Sequence, residues 1–263
     1  MSSIQINKNS GLSNRPVYEV AVVAPALNEA DNLRELLGEI DRAFEGMPRR
    51  HQVVIVDDGS DDATPTELAA LADEFEHLVT LRHDTPLGQS SALWSGINAA
   101  KAAIVCTLDA DLQNDPADLP RMINLLIQHQ ADLVQGDRSA NRRDHVLRKL
   151  ASVVGRFARW LIVGDATRDT GCGTRVMRTD TARRLPLDRA GMHRFIPACV
   201  AGFGGKVIET PVNHRPRRNG KTKYGTGILK RGLPGLRDCF AVRALIRRAQ
   251  REAEVDARAV AVD

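Results

Sequence analysis

The stretch Ala103-Ile104-Val105-Cys106-Thr107-Leu108-Asp109-Ala110-Asp111-Leu112-Gln113 passes from a mostly apolar run straight into two carboxylates and an amide. A run of that length and composition suits a buried strand, and the polar residues at its carboxyl end then converge on one small volume. The same alternation recurs on both sides. Upstream, Tyr18 to Ala24 reads as a strand, and after Pro25 the residues Leu33, Leu36, Leu37, Ile40 and Phe44 recur at helical spacing. His51 to Val56 is a second strand, and Thr64-Pro65-Thr66-Glu67 offers an N-cap, a proline at the first helical position and a capping-box glutamate. Leu78 to Leu81 reads as a third strand and Gln89 to Lys101 as a helix, with a helix over Pro116 to Gln130 and a strand over Asp132 to Gln135 downstream. The expected fold class is therefore α/β: a mostly parallel sheet with helices on both faces and ligands at the carboxyl ends of its strands.

The 263 residues divide into a polar, flexible leader (1–16), one catalytic domain (17–225) and a basic, amphipathic C-terminal tail (226–263). The leader has no apolar core of the kind an export signal needs. The most apolar windows, Leu150 to Val163 and Gly225 to Ile246, are broken by arginines and fall short of ~20 uninterrupted apolar residues, so no transmembrane helix is expected. Net charge is only +4, but residues 206–251 hold thirteen Lys or Arg against Glu209 and Asp238, a stretch that seeks anions. A basic nucleic-acid-binding protein is the rival from another class. The 4% aromatic content gives little support to base stacking, and nucleic acid is not an expected partner. Cys106, Cys172, Cys199 and Cys239 show neither metal-ligand nor redox spacing, which suits reduced thiols in the cytoplasm. The expected location is cytoplasmic, with peripheral attachment to the cytoplasmic face of a membrane through the tail.

Asp109, Asp111 and Gln113 offer hard oxygen ligands suited to Mg²⁺ or Mn²⁺. By itself the D-x-D pattern is also an ordinary acidic turn. Two further polar strand ends, Pro25-Ala26-Leu27-Asn28-Glu29 and Asp57-Asp58-Gly59-Ser60-Asp61, line the same predicted crevice, where a carboxylate can accept hydrogen bonds from a base or ribose. Other chemistries find less support. His83, His145, His193 and His214 are scattered without an H-x-x-x-H, so no zinc site is expected, and no G-x-S-x-G elbow is present. Gly220-Lys221-Thr222 imitates the end of a P-loop, but Arg215 stands where that loop needs glycine. Gly202-Phe203-Gly204-Gly205 reads as a turn.

Together these motifs resemble the family 2 glycosyltransferases of the GT-A fold, over roughly residues 18 to 240. Arg217-Arg218-Asn219-Gly220-Lys221-Thr222-Lys223-Tyr224 resembles the R-x-x-G-x-S-K-Y-type segment of their polyprenyl-phosphate branch, with Thr222 in place of the serine. That branch includes dolichol-phosphate mannose synthase and the undecaprenyl-phosphate aminoarabinose transferases. Asp169-Thr170-Gly171-Cys172-Gly173-Thr174-Arg175 and Arg148-Lys149-Leu150-Ala151-Ser152 look closest to the latter. The resemblance implies that Pro25, Leu27, Glu29, Asp58, Asp109 and Ala110 hold the nucleotide-sugar. It likewise implies that Asp109, Asp111 and Gln113 hold Mg²⁺ or Mn²⁺ and that Arg138, Arg217 and Lys223 hold the acceptor phosphate. Asp109, Asp111 and Arg138 are the implied catalytic residues, and Arg215 and Arg218 are expected to be solvated. The implied reaction is an inverting transfer of a sugar from GDP-mannose or a UDP-sugar to a polyprenyl phosphate, with a soluble or polysaccharide acceptor as the alternative.

Overall fold

Side chains alternate across β2 (Val20–Ala26), and that alternation divides the core into two layers. Val20, Val22 and Ala24 face one side with Val53 and Ile55 of β3 (His51–Asp57), and there they meet Leu33, Leu36, Leu37 and Ile40 of α1 (Ala30–Phe44). Val23, Val54 and Val56 face the other side and pack on Leu93 and Ile97 of α3 (Gln89–Ala99). Each fully buried Val, Leu or Ile is worth about 1.5–3 kcal/mol, so a strand buried on both faces gains from every residue. This is why the central strands read as unbroken apolar runs.

The computed structural model describes residues 4–6, 18–47, 49–139, 159–216 and 237–252. Its remaining strands are β1 (Ile4–Ile6), β4 (Leu78–His83), β5 (Ile104–Thr107), β6 (Leu133–Asp137), β7 (Arg175–Arg178) and β8 (Val207–Pro211). The eight strands form one sheet in the order β1-β4-β3-β2-β5-β7-β6-β8. Pairings β4-β3, β3-β2, β2-β5 and β6-β8 are parallel, whereas β1-β4, β5-β7 and β7-β6 are antiparallel. The sheet is thus parallel at its centre with β7 reversed between β5 and β6.

Helices α1, α2 (Thr64–Glu74) and α4 (Leu119–Gln128) cover one face. The other carries α3, α7 (Ile196–Gly202) and helical residues 237–252, α8, with Thr179–Arg183 (α6) and helical residues 159–163 (α5) in sequence between. Cys239, Val242 and Ile246 bury α8 against the same layer as Leu93 and Phe195, so this part of the expected tail packs on the domain core. Likewise Ile4–Ile6, within the expected leader, pair with Leu81–His83 at the sheet edge. The expected capping box at Thr64 is not formed. Ala63 is the N-cap without a side-chain bond, and Thr64 Oγ1 instead accepts from the Glu29 amide at 3.0 Å, linking two strand ends. Gly202 closes α7 and Gly204, at φ +87°, turns the chain into β8 as the glycine cluster predicts.

Candidate active site

Because β2, β3, β4, β5 and β6 run in one direction, their carboxyl ends deliver five loops to one edge of the sheet. Those loops are stitched together. The Asn28 amide donates to Ser60 Oγ at 2.8 Å, Asn28 Nδ2 donates to Asp61 Oδ1 at 2.6 Å, and the Asp61 amide donates back to Asn28 Oδ1 at 3.0 Å. Asn28 sits at φ +53°, a left-handed conformation that Asn tolerates better than most residues. Gly59, at φ +74°, lets the next loop pass under Thr85 and Pro86, where a Cβ would lie 2.6 Å from backbone.

Half-buried Asp109, Asp111 and Gln113 occupy the carboxyl end of β5. Asp109 is oriented from both sides: Gln89 Nε2 donates to its Oδ1 at 2.8 Å and Asn114 Nδ2 to its Oδ2 at 3.2 Å. The Gln113 amide donates to Asp111 Oδ1 at 3.1 Å. Between them Leu112 adopts φ +61° while 1% exposed, a conformation costing a bulky residue about 1–3 kcal/mol and of a kind that clusters at ligand sites. Behind Asp109 stands Gly173, where a Cβ would fall 2.4 Å from Asp109 Oδ2, so the carboxylate rests on bare backbone. Two carboxylates and an amide oxygen at alternate positions of one loop form a donor set of the kind Mg²⁺ or Mn²⁺ accepts.

Pro25, Leu27 and Glu29 line the β2 end half-buried, and Ala110 is buried beside Asp109. Asp58 is more enclosed than its sequence role implies. Its Oδ1 takes His83 Nδ1 at 2.8 Å and the Leu87 amide at 2.9 Å, and its Oδ2 takes the Gly88 amide at 2.7 Å. Asp58 thus anchors the loop entering α3, with His83 relaying to Ser95 Oγ at 2.9 Å. Its neighbour Asp57 is buried and ion-paired: Arg82 Nη1 lies 3.3 Å from Oδ2, and Oδ1 accepts from the Ser60 amide at 2.9 Å.

Arg138 follows β6 and is clamped by Asp169, Nε to Oδ2 at 2.8 Å and Nη2 to Oδ1 at 3.1 Å. Burial alone would lower its pKa, but the hydrogen bonds and charge of Asp169 outweigh that and hold the guanidinium above its usual range. Arg175, 1% exposed, donates to Gln135 Oε1 and to the Thr170 carbonyl, and burial pulls its pKa below the ordinary arginine value. Apart from exposed Gly171, the segment Asp169–Arg175 forms a buried wall behind Asp109 and Arg138. Sequence spacing gives no sign of the Gln135–Arg175 and Arg138–Asp169 pairs, whose members lie 40 and 31 positions apart.

Arg215 departs from the solvated role expected of it. It pairs with Glu39 at 2.8 Å and Asp115 at 2.6 Å, and its amide donates to the Gln113 carbonyl at 2.8 Å. With the Asn114–His214 bridge, these contacts pin residues 214–216 against the metal motif. Arg217, Arg218 and Lys223, and the run Arg148–Ser152, lie outside the described residues.

A model of the family described as "Glycosyl transferase family 2" matches residues 21–185. The chain belongs to that family. Among relatives of this family 2 member, dodecaprenyl-phosphate galacturonate synthase of Rhizobium johnstonii is 35% identical over 219 residues, covering 81% of this chain and 64% of that protein. Undecaprenyl-phosphate 4-deoxy-4-formamido-L-arabinose transferase of Klebsiella pneumoniae is 34% identical over 214 residues with the same coverages. The chain thus spans just under two thirds of the length of these curated relatives. Among solved structures, glucosyl-3-phosphoglycerate synthase of Mycobacterium tuberculosis, in complex with Mn²⁺, UDP-glucose and phosphoglyceric acid, superposes with a TM-score of 0.61 at 18% identity, over 87% of this chain and 79% of that one. The fold is GT-A, as the resemblance implies.

Proposed function

We propose that this family 2 chain transfers a sugar from a nucleoside-diphosphate sugar to a polyprenyl phosphate, with inversion at the anomeric carbon. The observation that carries the reading is the placement of Asp109 and Asp111, half-buried and held by neighbouring amides, where the loops of the parallel strands converge. The names of the two relatives support the lipid acceptor.

In this reading Leu27 and Glu29 contact the nucleoside, and Asp58 acts through the Leu87–Gly88 loop that it anchors beside them. Asp109, Asp111 and Gln113 hold Mg²⁺ or Mn²⁺, which when bound neutralises charge on the diphosphate leaving group. Arg138 presents the Nη1 edge that Asp169 does not occupy, and Arg217 and Lys223 add cations for the acceptor phosphate. A phosphate monoester is ionised at neutral pH and needs orientation more than a strong base, which suits a crevice where arginines stand beside the carboxylates.

No helix among the described residues is long and apolar enough to cross a membrane. Peripheral contact is the proposed route to lipid, through exposed Trp160, Leu161 and Phe240 with Arg247, Arg248 and Arg251 of α8. Aromatic side chains suit the headgroup boundary, and each arginine near an anionic surface contributes about 1 kcal/mol. Because α8 also fills the core, the proper probe is a Phe240→Ser, Arg247→Glu surface variant and not a truncation. Flotation with anionic liposomes should fall in that variant; equal flotation removes this route.

The deciding experiment incubates the protein with labelled nucleotide-sugars, polyprenyl phosphate and Mg²⁺ or Mn²⁺, and counts label extracted into organic solvent with and without EDTA. Metal-dependent lipid label supports the proposal and identifies the donor. Label appearing only in water-soluble product would replace it with the soluble-acceptor reading.

A further inference from the structure

At the opposite, amino-terminal edge of the sheet, two histidines and an aspartate meet. His51 opens β3, His77 immediately precedes β4, and Asp41 lies near the end of α1. Asp41 Oδ1 is 2.8 Å from His51 Nε2 and 2.9 Å from His77 Nε2, and one ligand atom from each residue lies within 4.8 Å of the others. His77 Nε2 is buried, yet despite this short approach it makes no hydrogen bond among the described residues. Asp41 Oδ1 and His51 Nε2 lie at hydrogen-bond distance, so a proton on His51 satisfies that approach; the approach of His77 Nε2 to the same oxygen lacks hydrogen-bond geometry, and a positive centre among the three atoms would satisfy it.

From this geometry we infer a divalent-metal site formed by Asp41, His51 and His77, selective for Zn²⁺-class ions and separate from the D-x-D crevice. Tetrahedral zinc with bonds near 2.0–2.2 Å sets its ligand atoms about 3.3 Å apart, so the two Asp41 separations need shifts of about half an ångström and the histidine pair at most about 1.5 Å. Two imidazoles and one carboxylate favour Zn²⁺, Co²⁺ or Ni²⁺ over the hard ions suited to an all-oxygen set. Neighbouring rings orient both histidines: Phe44 stacks on His51 with centroids 4.7 Å apart, and Phe75 meets His77 edge-on at 5.9 Å. All three ligand residues are partly exposed, so the cluster lies near the surface although His77 Nε2 itself is covered. The seven residues of β3 put roughly 20 Å between this cluster and the catalytic edge. The bound ion would clip α1 to the starts of two strands and stabilise the folded chain by mass action. No spacing motif announces the site, because its ligands come from three separate elements.

The test uses tag-free full chain stripped with chelator and freed of it. Zn²⁺ is titrated against a chromophoric competitor, and Co²⁺ is added separately for its visible ligand-field spectrum. Wild type and Asp111→Asn should both retain the tight Zn²⁺ site and the intense Co²⁺ bands of a low-coordinate, imidazole-bound ion. Since losing a mere outer partner of a ligand weakens metal binding 10–100-fold, His77→Gln and Asp41→Asn, each checked for native circular dichroism, should weaken it by at least about 100-fold. Wild-type Zn²⁺ affinity in both variants, or a wild type that binds neither ion, overturns the assignment. The readout is independent of transfer activity, so failure of the proposed reaction leaves this result intact.

Discussion

Arg138 and Asp169 form a two-pronged ion pair, 2.8 and 3.1 Å long, with side chains 10% and 7% exposed at the rear of the crevice. A pair so enclosed is held in place more by the cost of breaking it than by its own net gain. Asp169→Ala should therefore destabilise the protein by about 3–5 kcal/mol in urea unfolding, since it strands a buried guanidinium. The double replacement Arg138→Met, Asp169→Leu should recover most of that loss while leaving transfer activity low. If the single and double variants are equally unstable, Asp169 acts through packing and not through charge.

The carboxylates at the end of β5 should behave oppositely. Asp111 is half-buried at a strained turn, so Asp111→Asn relieves charge crowding and should leave the melting temperature unchanged or raised. Activity should drop at least about 100-fold, the scale of losing one electrostatic contact to a developing charge. Turnover within about tenfold of wild type, at saturating metal, would contradict the assigned role.

The contrast between these two sites shows what the sequence makes legible. Strands β2 to β6 and the helices between them are each marked by long apolar runs or a helical stripe, and their bounds agree with the sequence reading to within about three residues. The D-x-D motif is likewise visible, because the residues that act together are adjacent in the chain. Strands β7 and β8 carry no such mark: Arg-Val-Met-Arg and Val-Ile-Glu-Thr-Pro are short and carry charges. In β7 the first of those charges, Arg175, is buried, its hydrogen bonds met by Gln135 and Thr170, a solution only folded geometry supplies. The pairing of Arg215 is hidden for the same reason, since Glu39 lies 176 positions away. Long-range polar pairing has no period to read.

Gly173 offers a test of how tightly Asp109 must be held. An added Cβ would stand 2.4 Å from Asp109 Oδ2 and 2.5 Å from its Cγ, so Gly173→Ala must push the carboxylate aside. Overpacking of this kind costs about 1–3 kcal/mol, and a misplacement near 1 Å can cost about 100-fold in rate. Gly171→Ala is the matched control, its Cβ meeting Arg138 Nη2 at an ordinary 3.4 Å. Equal activities for the two variants would mean that Asp109 tolerates displacement.

His193 supplies the clearest pH dependence. Burial, aided by the charges of Arg175 and Arg194, pushes its pKa from 6.5 down to about 3, and Ser90 Oγ lies 2.8 Å from its Nδ1. Between those two values the unfolded chain binds a proton that the folded chain refuses. Stability from this residue is therefore fully present above pH 6.5 and falls as the pH drops towards 3. The slope is at most about 1.4 kcal/mol per pH unit, or about 2 kcal/mol between about pH 6.5 and about pH 5. Urea midpoints at those two pH values should separate more in wild type than in His193→Gln, which lacks the titration but keeps a polar side chain for Ser90. An identical pH response in both proteins would show that the imidazole is protonated at no cost in the fold, and hence that its pocket admits water.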